Sequence, residues 1–531
     1  MSAVLGNPVV VPPQAFPYGT ETVRSLIDAW ADAAATDVFL IDPERGERLT
    51  VGTLRDRGRE LHGCFEALGI AADEKVAFLL DNGSWTVSLF LGAMYAGRTV
   101  VALNAVAGSD ALRYVLAHSD ARALFVSAAY AERYPELLAQ CDPDVLVIPT
   151  DESDGPEWPV RVSGSGALPA LTPDSDGLLI YTSGTTGRPK GVRMTHRNVI
   201  AGGWNVTVAH ELQARDRALC VLPLYHINGE MVTVMAPLVS RGSVVMPRRF
   251  SASRFWGWVV DHGCTWFSVV PTIIAYLLEA GERNPATIPP TAALRGVRFG
   301  RSASAPLSPD VHRAFERLFG LPIIETMGLT ETAAQILSNP PPPAAPTYGS
   351  PGRGYGNEVG IVDAQGREVP VGEAGELIIR GPNVTPGYYK NPEATAQALT
   401  ADGWLRPGDL ACRDADGNIF ITGRLKELII KGGENIAPRE IDEALYQHPA
   451  VLEAAAFPVD CANYGQEIEA GVALKTGAET SEAELRDFCE KRLGQYKTPR
   501  RIHLLPDLPK GPSGKIQRLK LAELVASDAG L

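Results

Sequence analysis

A segment rich in glycine and hydroxyl side chains, residues 181–192, carries the residue types that hold phosphate. It follows the apolar run 178–180 and contains Lys190. Glycines let the backbone approach an anion closely, while N–H groups, hydroxyls and one ammonium supply donors and charge. It departs from a Walker loop, because Pro189 precedes the lysine and Gly191 follows it where that motif requires Ser or Thr. A flexible linker of the same composition is the alternative, although a linker does not need the lysine.

Five more segments place charged and polar residues at short intervals along the chain. They lie at residues 223–226 (PLYH), 325–331 (ETMGLTE), 403–409 (GWLRPGD), 423–427 (GRLKE) and 513–515 (SGK). Together with the glycine-rich segment, and in this order, they resemble the motifs of the adenylate-forming superfamily, which includes acyl-CoA synthetases, luciferases and the adenylation domains of peptide synthetases. The resemblance extends from residue 22 to the C-terminus.

The resemblance implies a reaction in two steps and a fold in two domains. A carboxylate attacks the α-phosphorus of ATP to give acyl-AMP and pyrophosphate, and a thiol, usually that of CoA, then attacks the acyl carbon. ATP, Mg²⁺ and CoA are the implied cofactors. The implied fold class is α/β, with a large multi-sheet N-terminal domain, expected at 1–425, and a small mobile α+β C-terminal domain, expected at 426–531. Because both transition states are anionic, we expect catalysis to rest on positioning and charge stabilisation.

The resemblance assigns most of the motif residues to the nucleotide. Glu331 would ligate Mg²⁺, which takes few carboxylates in such sites, and Thr330 would bond the α-phosphate. Asp409 and Arg424 would hold the ribose hydroxyls, although Pro407 replaces the usual threonine of that motif. The other candidates for binding ATP or AMP are Thr182, Ser183, Gly184, Thr185, Thr186, Gly187, Lys190, Ser302, Ala303, Ser304, Glu325, Thr326 and Met327.

The adenine-binding positions differ from the family pattern. Ala303 and Ser304 replace its usual glycines, and Met327 stands where the family stacks an aromatic ring on the base. A thioether packs on adenine through polarisable contact, with about 1 kcal/mol less stabilisation than a stacked ring. We therefore expect weakened ATP affinity.

Two further side chains resemble the catalytic groups of the family. Lys515 matches the lysine that bridges the carboxylate substrate and the α-phosphate, a transient contact that suits a charge on a flexible stem. His226 matches the histidine beside the acyl pocket and the path of the thiol.

Lys426 falls at the hinge whose rotation exchanges the two half-reactions. The candidates for binding CoA are Lys431, Gly432 and Gly433, where the glycines allow close backbone approach.

The acyl pocket separates this chain from the oxalate–CoA ligases, the branch that it most resembles. The pocket candidates are Asn228, Glu230, Arg301 and Ala334. Oxalate enzymes carry histidines where this chain has Asn228 and Ala334, and the loss of two donors argues against oxalate itself. A carboxylate at Glu230 would in addition repel a dianion, the alternative being that Glu230 faces solvent or a helix N-terminus. We therefore expect a small polar monoacid that carries an amine, a hydroxyl or a quaternary nitrogen.

The segments between the motifs predict the elements that position these residues. Up to residue 325, short apolar runs alternate with helical patterns, which is typical of a layered α/β domain. The expected strands include 75–80, 99–103, 123–127, 218–222, 266–270 and 321–325. Beyond residue 424 the pattern predicts charged helices at Pro438–Tyr446 and 481–493, with apolar strands at 454–457 and 471–474.

Composition limits the compartment and the partners. The 531 residues exceed what one core supports, which favours at least two domains. The net charge of −13 argues against nucleic acid or anionic lipid as a partner. We expect a cytoplasmic protein without a membrane segment, because no apolar run approaches the roughly 18 residues of a span. The seven cysteines lack paired spacing, which favours reduced thiols over disulfides or zinc.

The leading interpretation is an AMP-forming carboxylic acid:CoA ligase that acts on a small polar acid. A stand-alone adenylation enzyme that loads a carrier protein is one alternative, and dependence on CoA distinguishes the two. A non-catalytic nucleotide-binding relative is another, because Met327 and Pro407 depart from the motifs. The sequence leaves the exact acid open, and a homodimer is compatible with it.

Overall fold

The structure of the protein is a computed structural model that describes residues 16–160, 166–182, 189–461, 463–510 and 516–528. In these residues, three sheets build a large N-terminal part and one sheet builds a small C-terminal part. The α/β class and its division into a large and a small domain are therefore confirmed. The boundary at 425/426 stays a prediction.

The first sheet is parallel at its centre and antiparallel at both edges. Apolar strands such as Lys75–Leu79 and Thr99–Ala102 are buried almost throughout, as expected where a parallel sheet is covered on both faces. Its described strands, in spatial order, are Gly155–Pro156, Leu146–Asp151, Ala121–Val126, Lys75–Leu79, Thr99–Ala102, Asp176–Thr182 and Lys190–Thr195.

The second sheet also has a parallel centre, and it packs on the first through a shared apolar core. Its parallel strands end at the motif residues 302 and 325–329, where ligands bind in open α/β sheets. Its described strands, in spatial order, are Arg353–Gly354, Ala334–Ser338, Ile323–Leu329, Phe299–Ser302, Trp266–Val269, Arg217–Cys220, Ser243–Val245, Val38–Ile41 and Arg48–Thr50.

A third, antiparallel sheet precedes the small domain. Its described strands are Glu358–Val362, Gly375–Arg380, Asp409–Arg413 and Ile419–Arg424. The helices of the N-terminal part that the structure describes are Val23–Ala34, Val51–Ala67, Ser84–Tyr95, Ser109–Ser119, Ala128–Arg133, Pro135–Ala139, His196–Ala209, Ala236–Ser240, Phe255–Asp261, Pro271–Arg283, Pro309–Phe319 and Pro392–Ala398. Shorter turns are the π-helical Asn228–Met235 and the 3₁₀ segments Pro285–Thr287, Thr330–Thr332 and Leu425–Glu427.

The small domain packs helices on a mixed sheet. The helix predicted at Pro438–Tyr446 is confirmed with the same bounds. The helix predicted at 481–493 is Glu482–Lys497, with Ser481 capping its first turn and Gly494 adopting a non-helical φ of 73° near its end. The last helix is Arg518–Asp528. The strands of this sheet are Glu434–Ile436, Ile429–Lys431, Gly465–Leu474, Val451–Cys461 and Arg501–Leu504.

Two expectations about the chain as a whole can be compared with the structure. All seven cysteines are free thiols, as their spacing predicts. Among the described helices, none combines the length and the apolar character that crossing a membrane requires.

Candidate active site

The glycine-rich segment connects two antiparallel strands of the first sheet. Thr182 ends one strand and lies opposite Lys190, which begins the next. The register therefore brings a hydroxyl and an ammonium together at the base of the segment. The candidates Ser183, Gly184, Thr185, Thr186 and Gly187 lie outside the described residues.

A turn at residues 385–389 holds this strand pair against the 330–332 segment. Arg193 N–H donates to Gly387 O at 3.1 Å, and Tyr389 N–H donates to Gly191 O at 2.7 Å. On the other side, Thr385 N–H donates to Glu331 O at 2.8 Å. The two predicted phosphate-binding motifs are thus linked by a turn that the motif analysis did not include.

Glu331 and Thr330 lie in a 3₁₀ turn that ends the strand Ile323–Leu329. The chain turns back so tightly that a Cβ on Gly328 would lie 1.6 Å from Ala334 O. Only glycine fits this position, because any side chain would overlap the carbonyl.

The Glu331 carboxylate lies beside an aromatic and a basic residue. Tyr388 Oη–H donates to Glu331 Oε1 at 2.9 Å. Lys190 Nζ lies 5.2 Å from the centre of the Tyr388 ring. The lysine, the tyrosine and the glutamate therefore form one cluster at the base of the glycine-rich segment.

The donor set at Glu331 is compatible with Mg²⁺. The described residues contain no group of three or more His, Cys, Asp or Glu side chains that would form a protein-only metal cage. Magnesium bound with a nucleotide needs only one or two carboxylates, since phosphates and waters complete its octahedron. A single glutamate at the end of the 325–331 motif fits that mode.

Asp409 and Arg424 face each other across neighbouring strands of the third sheet. Arg424 Nε–H donates to Asp409 Oδ1 at 2.7 Å, and the aspartate side chain is 3% exposed while the arginine side chain is 41% exposed. The predicted ribose pair is therefore a real ion pair. Pro407 does not prevent it, since the carboxylate lies in the regular strand that begins two residues later.

The adenine-side candidates follow the ends of two parallel strands. Thr326 Oγ1–H donates to Ser302 O at 3.3 Å, which joins the strand ends. Glu325 is buried, and its Oε1 accepts a hydrogen bond from Leu307 N–H at 3.0 Å. Burial raises the pKa of Glu325 to about 7, although the Leu307 hydrogen bond acts in the opposite direction.

Met327 and the 303–304 pair lie near these strand ends. Met327 is partly buried and packs against the apolar core of the third sheet. Ala303 is buried, whereas Ser304 is half-exposed and has a φ of 72°, in the left-handed region that favours glycine. Ser304 therefore replaces the family's usual glycine at a position whose backbone conformation favours glycine.

Three of the four acyl-pocket candidates lie in or beside a buried polar network. Arg301 is 1% exposed, and Nη1–H donates to Asn228 Oδ1 at 3.1 Å and to Ser268 Oγ at 3.2 Å. Nη2–H donates to Gln335 Oε1 at 3.4 Å. Asn228 Nδ2–H also donates to Ser304 Oγ at 3.3 Å, which links the network to the adenine side. Ala334, buried with a φ of 82°, precedes Gln335 in the strand.

The charge of Arg301 has no counter-charge in this network. In the part of the chain that the structure describes, no carboxylate pairs with it, and its Nε lacks a hydrogen-bond partner. Burial lowers the pKa of Arg301 to about 9, so the side chain remains a cation at neutral pH. A buried unpaired cation is unfavourable unless an anion joins it.

The structure changes the role that the sequence suggested for Glu230. Its side chain is fully buried in the π-helical turn, and neither carboxyl oxygen has a hydrogen-bond partner among the described residues. Burial raises the pKa of Glu230 well above its usual value. Burial without a hydrogen-bond partner therefore favours the neutral form of this carboxyl group, which weakens the argument that its charge repels a dianion.

His226 lies just before the same π-helical turn. Its Nδ1 accepts a hydrogen bond from Asn228 N–H at 3.3 Å, and its carbonyl accepts one from Glu230 N–H at 3.2 Å. The histidine is thus oriented by the backbone of the pocket-lining turn, next to Asn228.

The hinge candidate lies between two contacts of different domains. Leu425 N–H donates to Gly408 O at 2.8 Å, on the N-terminal side. Glu427 accepts a hydrogen bond from Arg518 Nε–H at 3.2 Å, on the C-terminal side. Lys426 lies between these contacts and is exposed, as is Leu425.

Of the three CoA candidates, the two glycines are exposed in a turn, whereas the lysine side chain is buried. Gly432 and Gly433 have φ values of 56° and 87°, and a Cβ on Gly433 would meet open space. The Lys431 side chain is buried, and its Nζ pairs with Glu467 at 2.5 Å and donates to Tyr496 O at 2.9 Å. Its ammonium therefore stabilises the small domain, which leaves the glycine backbone as the accessible surface of this turn. Lys515 lies outside the described residues.

Sequence reasoning missed three residues that the structure adds to the site: Tyr388, Ser268 and Gln335. Tyr388 follows Pro386 and Gly387, a pair typical of turns, but a turn signal does not reveal its position beside Glu331. Ser268 and Gln335 lie in apolar strand patterns without a motif of their own, so only strand pairing brings them to Arg301.

The family comparison agrees with this architecture along most of the chain. The family model of AMP-binding enzymes matches residues 27–389, and that of the AMP-binding enzyme C-terminal domain matches residues 440–515. The chain belongs to this family.

Similar proteins are found among characterised relatives and solved structures. The sulfoacetate–CoA ligase of Cupriavidus necator is 49% identical over 505 residues, which cover 94% of this chain and 97% of that protein. The oxalate–CoA ligase of Arabidopsis thaliana is 35% identical over 470 residues, covering 86% of this chain and 89% of that protein. ATP-bound MatB from Rhodopseudomonas palustris superimposes with a TM-score of 0.86 at 26% identity, covering 95% of this chain and 99% of MatB.

These likenesses agree with the reaction class that the motifs predict. The protein is an AMP-forming acid–CoA ligase, with a carboxylic acid, ATP and CoA as its substrates. A benzoate CoA ligase from Burkholderia xenovorans has the same fold, with a TM-score of 0.84 at 28% identity over 94% of this chain and 99% of that one. The family thus accepts different acids on one scaffold, and the pocket must decide among them.

Proposed function

We propose that this ligase activates a small carboxylic acid that carries a second anionic group, of the type represented by sulfoacetate. The observation that carries the proposal is Arg301, a fully buried guanidinium whose described partners, Asn228, Ser268 and Gln335, are all neutral. An anionic group on the substrate would supply the missing counter-charge. The fork of a guanidinium matches the oxygens of a sulfonate or carboxylate in geometry as well as in charge.

Two further observations support an acid with two anionic groups over the monoacid that the sequence favoured. Burial raises the pKa of Glu230, which favours its neutral form and reduces its repulsion of a second negative charge. The relative with 49% identity along nearly the whole chain is a sulfoacetate–CoA ligase, and the oxalate–CoA ligases also act on an acid with two acidic groups.

The remaining site residues take the following roles in the proposed function. The 182–190 segment would bind the β- and γ-phosphates, and the pair Asp409 and Arg424 would fix the ribose. Glu331 would hold Mg²⁺, which supplies charge neutralisation for the phosphates when it is bound. Lys515 would bridge the acid and the α-phosphate, and His226 would orient the acyl group next to Asn228.

Substrate panels on an Arg301 variant test the proposal. We expect wild-type enzyme to release pyrophosphate from ATP fastest with sulfoacetate or a short dicarboxylate, in a CoA-stimulated reaction. We expect Arg301→Met to lower kcat/KM for that acid about a hundred-fold. The second anionic group of the bound acid would then be buried without a partner, which costs about 3 kcal/mol. For acetate, which has no second anionic group, the same change should alter kcat/KM by much less.

Arg301→Lys serves as the matched control, because it keeps the charge and loses the planar fork. An intermediate loss is expected there. Equal losses for acetate and for the preferred acid in Arg301→Met would mean that the arginine only maintains the pocket. A wild-type preference for a monoacid with an amine, a hydroxyl or a quaternary nitrogen would overturn the proposal, and pyrophosphate release without CoA stimulation would point to a carrier protein.

A further inference from the structure

The Tyr388 hydroxyl makes a contact that the proposed reaction does not yet explain. It donates to Glu331 Oε1 at 2.9 Å, and its ring lies 5.2 Å from Lys190 Nζ. One side chain therefore touches residues from two separate phosphate motifs.

The backbone of Tyr388 is fixed on both sides. It pairs with Val192 in an antiparallel bridge, and its N–H donates to Thr395 Oγ1 at 2.9 Å. The ring is partly buried. The hydroxyl is the donor of its hydrogen bond to Glu331, because a carboxylate oxygen can only accept.

A hydrogen bond to one oxygen of a carboxylate changes what that carboxylate can do. It fixes the rotation of the group and occupies one lone-pair region of Oε1, which favours a single-oxygen contact with a cation over a two-oxygen contact. Mg²⁺ demands near-ideal octahedral geometry and accepts single-oxygen carboxylate ligands well. Side chains that orient a metal ligand in this way contribute strongly to metal affinity.

We propose that Tyr388 is a positioning residue that orients Glu331 for the nucleotide-bound divalent cation and aligns Lys190 beside it. The inference depends on the metal role of Glu331 in the proposed function. The Lys190 ammonium, held over the face of the Tyr388 ring, is attracted to that ring. Tyr388 would thus couple the two phosphate motifs through one side chain.

Tyr389 provides a matched control in the next position. Its hydroxyl donates to Asp120 Oδ2 at 2.6 Å, and Lys75 Nζ lies 4.6 Å from its ring. It shares the turn, the ring and a carboxylate partner, but its side-chain partners lie outside the proposed metal site. Tyr388→Phe and Tyr389→Phe therefore remove equivalent hydroxyls with different expected effects.

The experiment measures binding of Mn²⁺, as a magnetic substitute for Mg²⁺, to the full-length enzyme with α,β-methylene-ATP by electron paramagnetic resonance. We expect Tyr388→Phe to raise the Mn²⁺ dissociation constant about ten-fold, the lower end of the effect of losing a partner of a metal ligand. Nucleotide binding in EDTA should change little, and Tyr389→Phe should bind Mn²⁺ like wild type.

Glu331→Gln separates failure of this inference from failure of the metal assignment. If Glu331→Gln binds Mn²⁺ as wild type does, the metal role of the glutamate is wrong, and the inference falls with it. If Glu331→Gln weakens Mn²⁺ binding but Tyr388→Phe does not, the metal role stands and only the tyrosine inference is overturned. Equal weakening in Tyr388→Phe and Tyr389→Phe would also overturn it, because it would show a general effect on the turn.

Discussion

Ser304 combines backbone strain with a contact inside the proposed pocket. Its φ of 72° lies in the left-handed region, where a side chain costs about 1–2 kcal/mol relative to glycine. Its Oγ accepts a hydrogen bond from Asn228, which also contacts Arg301. The serine therefore joins the adenine-side turn to the acyl pocket, a connection that glycine could not make.

Two substitutions of Ser304 separate these effects. Ser304→Gly and Ser304→Ala both remove the hydroxyl, but only glycine relieves the strain. We expect the glycine variant to be more stable than the alanine variant by about 1 kcal/mol, measured by thermal unfolding. Both should weaken the preference for the acid with two anionic groups, because Asn228 loses a partner. An alanine variant as stable as the glycine variant would show that the backbone relaxes instead.

A buried histidine, His196, joins the first turns of two helices near the first sheet through a hydrogen bond. His196 begins the helix His196–Ala209, and its Nδ1 accepts a hydrogen bond from Val23 N–H at 3.1 Å at the start of Val23–Ala34. Burial lowers the pKa of His196 to about 4. The neutral ring is therefore the form that the fold requires.

The stability contribution of this histidine has a definite pH dependence. The folded-state pKa of about 4 lies below the unfolded value of about 6.5, so the contribution is present above pH 6.5 and is lost as pH falls toward 4. For His196 alone we expect a loss of about 2 kcal/mol between pH 7 and pH 5. His196→Asn keeps an acceptor without the titration, so its free energy of unfolding, measured in urea, should fall less than that of wild type.

Comparing the two proteins at both pH values isolates His196 from the other buried histidines. His62, His210 and His312 also have lowered pKa values through burial, and they affect wild type and variant alike. A difference between the proteins that does not change from pH 7 to pH 5 would contradict the assignment.

At the scale of the whole molecule, Lys426 lies between two residues whose contacts belong to different parts of the chain. Leu425 is hydrogen-bonded to Gly408, and Glu427 is paired with Arg518, which also pairs with Asp442 in the small domain. We therefore expect the predicted rotation of the small domain to occur at Lys426, between these two contacts.

Proline at this position tests the hinge, because it restricts φ to a narrow range. We expect Lys426→Pro to retain one half-reaction and lose the other, whereas Lys426→Ala keeps both. Adenylation is measured by acid-dependent exchange of pyrophosphate into ATP, and thioester formation by turnover of supplied acyl-AMP with CoA. If proline slows both half-reactions to the same extent, or slows neither, rotation does not depend on this residue.

Local patterns predicted those parts of the protein whose chemistry lies in contiguous residues. Buried strands such as Lys75–Leu79, the helix Pro438–Tyr446 and the partnership of Asp409 with Arg424 all follow from short patterns or motifs. Each depends on neighbours in sequence or on one strand pairing, so periodicity and motif spacing are sufficient.

The charge state of the pocket could not be predicted in the same way. From the sequence alone, Glu230 is expected to be a charged carboxylate and Arg301 an ordinary cation. The fold removes water from both, which favours the neutral form of the acid and leaves the guanidinium without a counter-charge among the described residues. Burial depends on every element packed around a residue, so it does not appear in a local pattern.

The sequence by itself determined the family, the reaction class and most of the candidate residues, because the motifs for ATP and thiol chemistry are short and contiguous. Only the tertiary structure decided what surrounds them: Tyr388 against Glu331, Ser268 and Gln335 around Arg301, and the complete burial of Glu230. The physical reason is that a motif specifies which groups are available, whereas strand pairing and desolvation specify how far apart they lie and which of them carry charge.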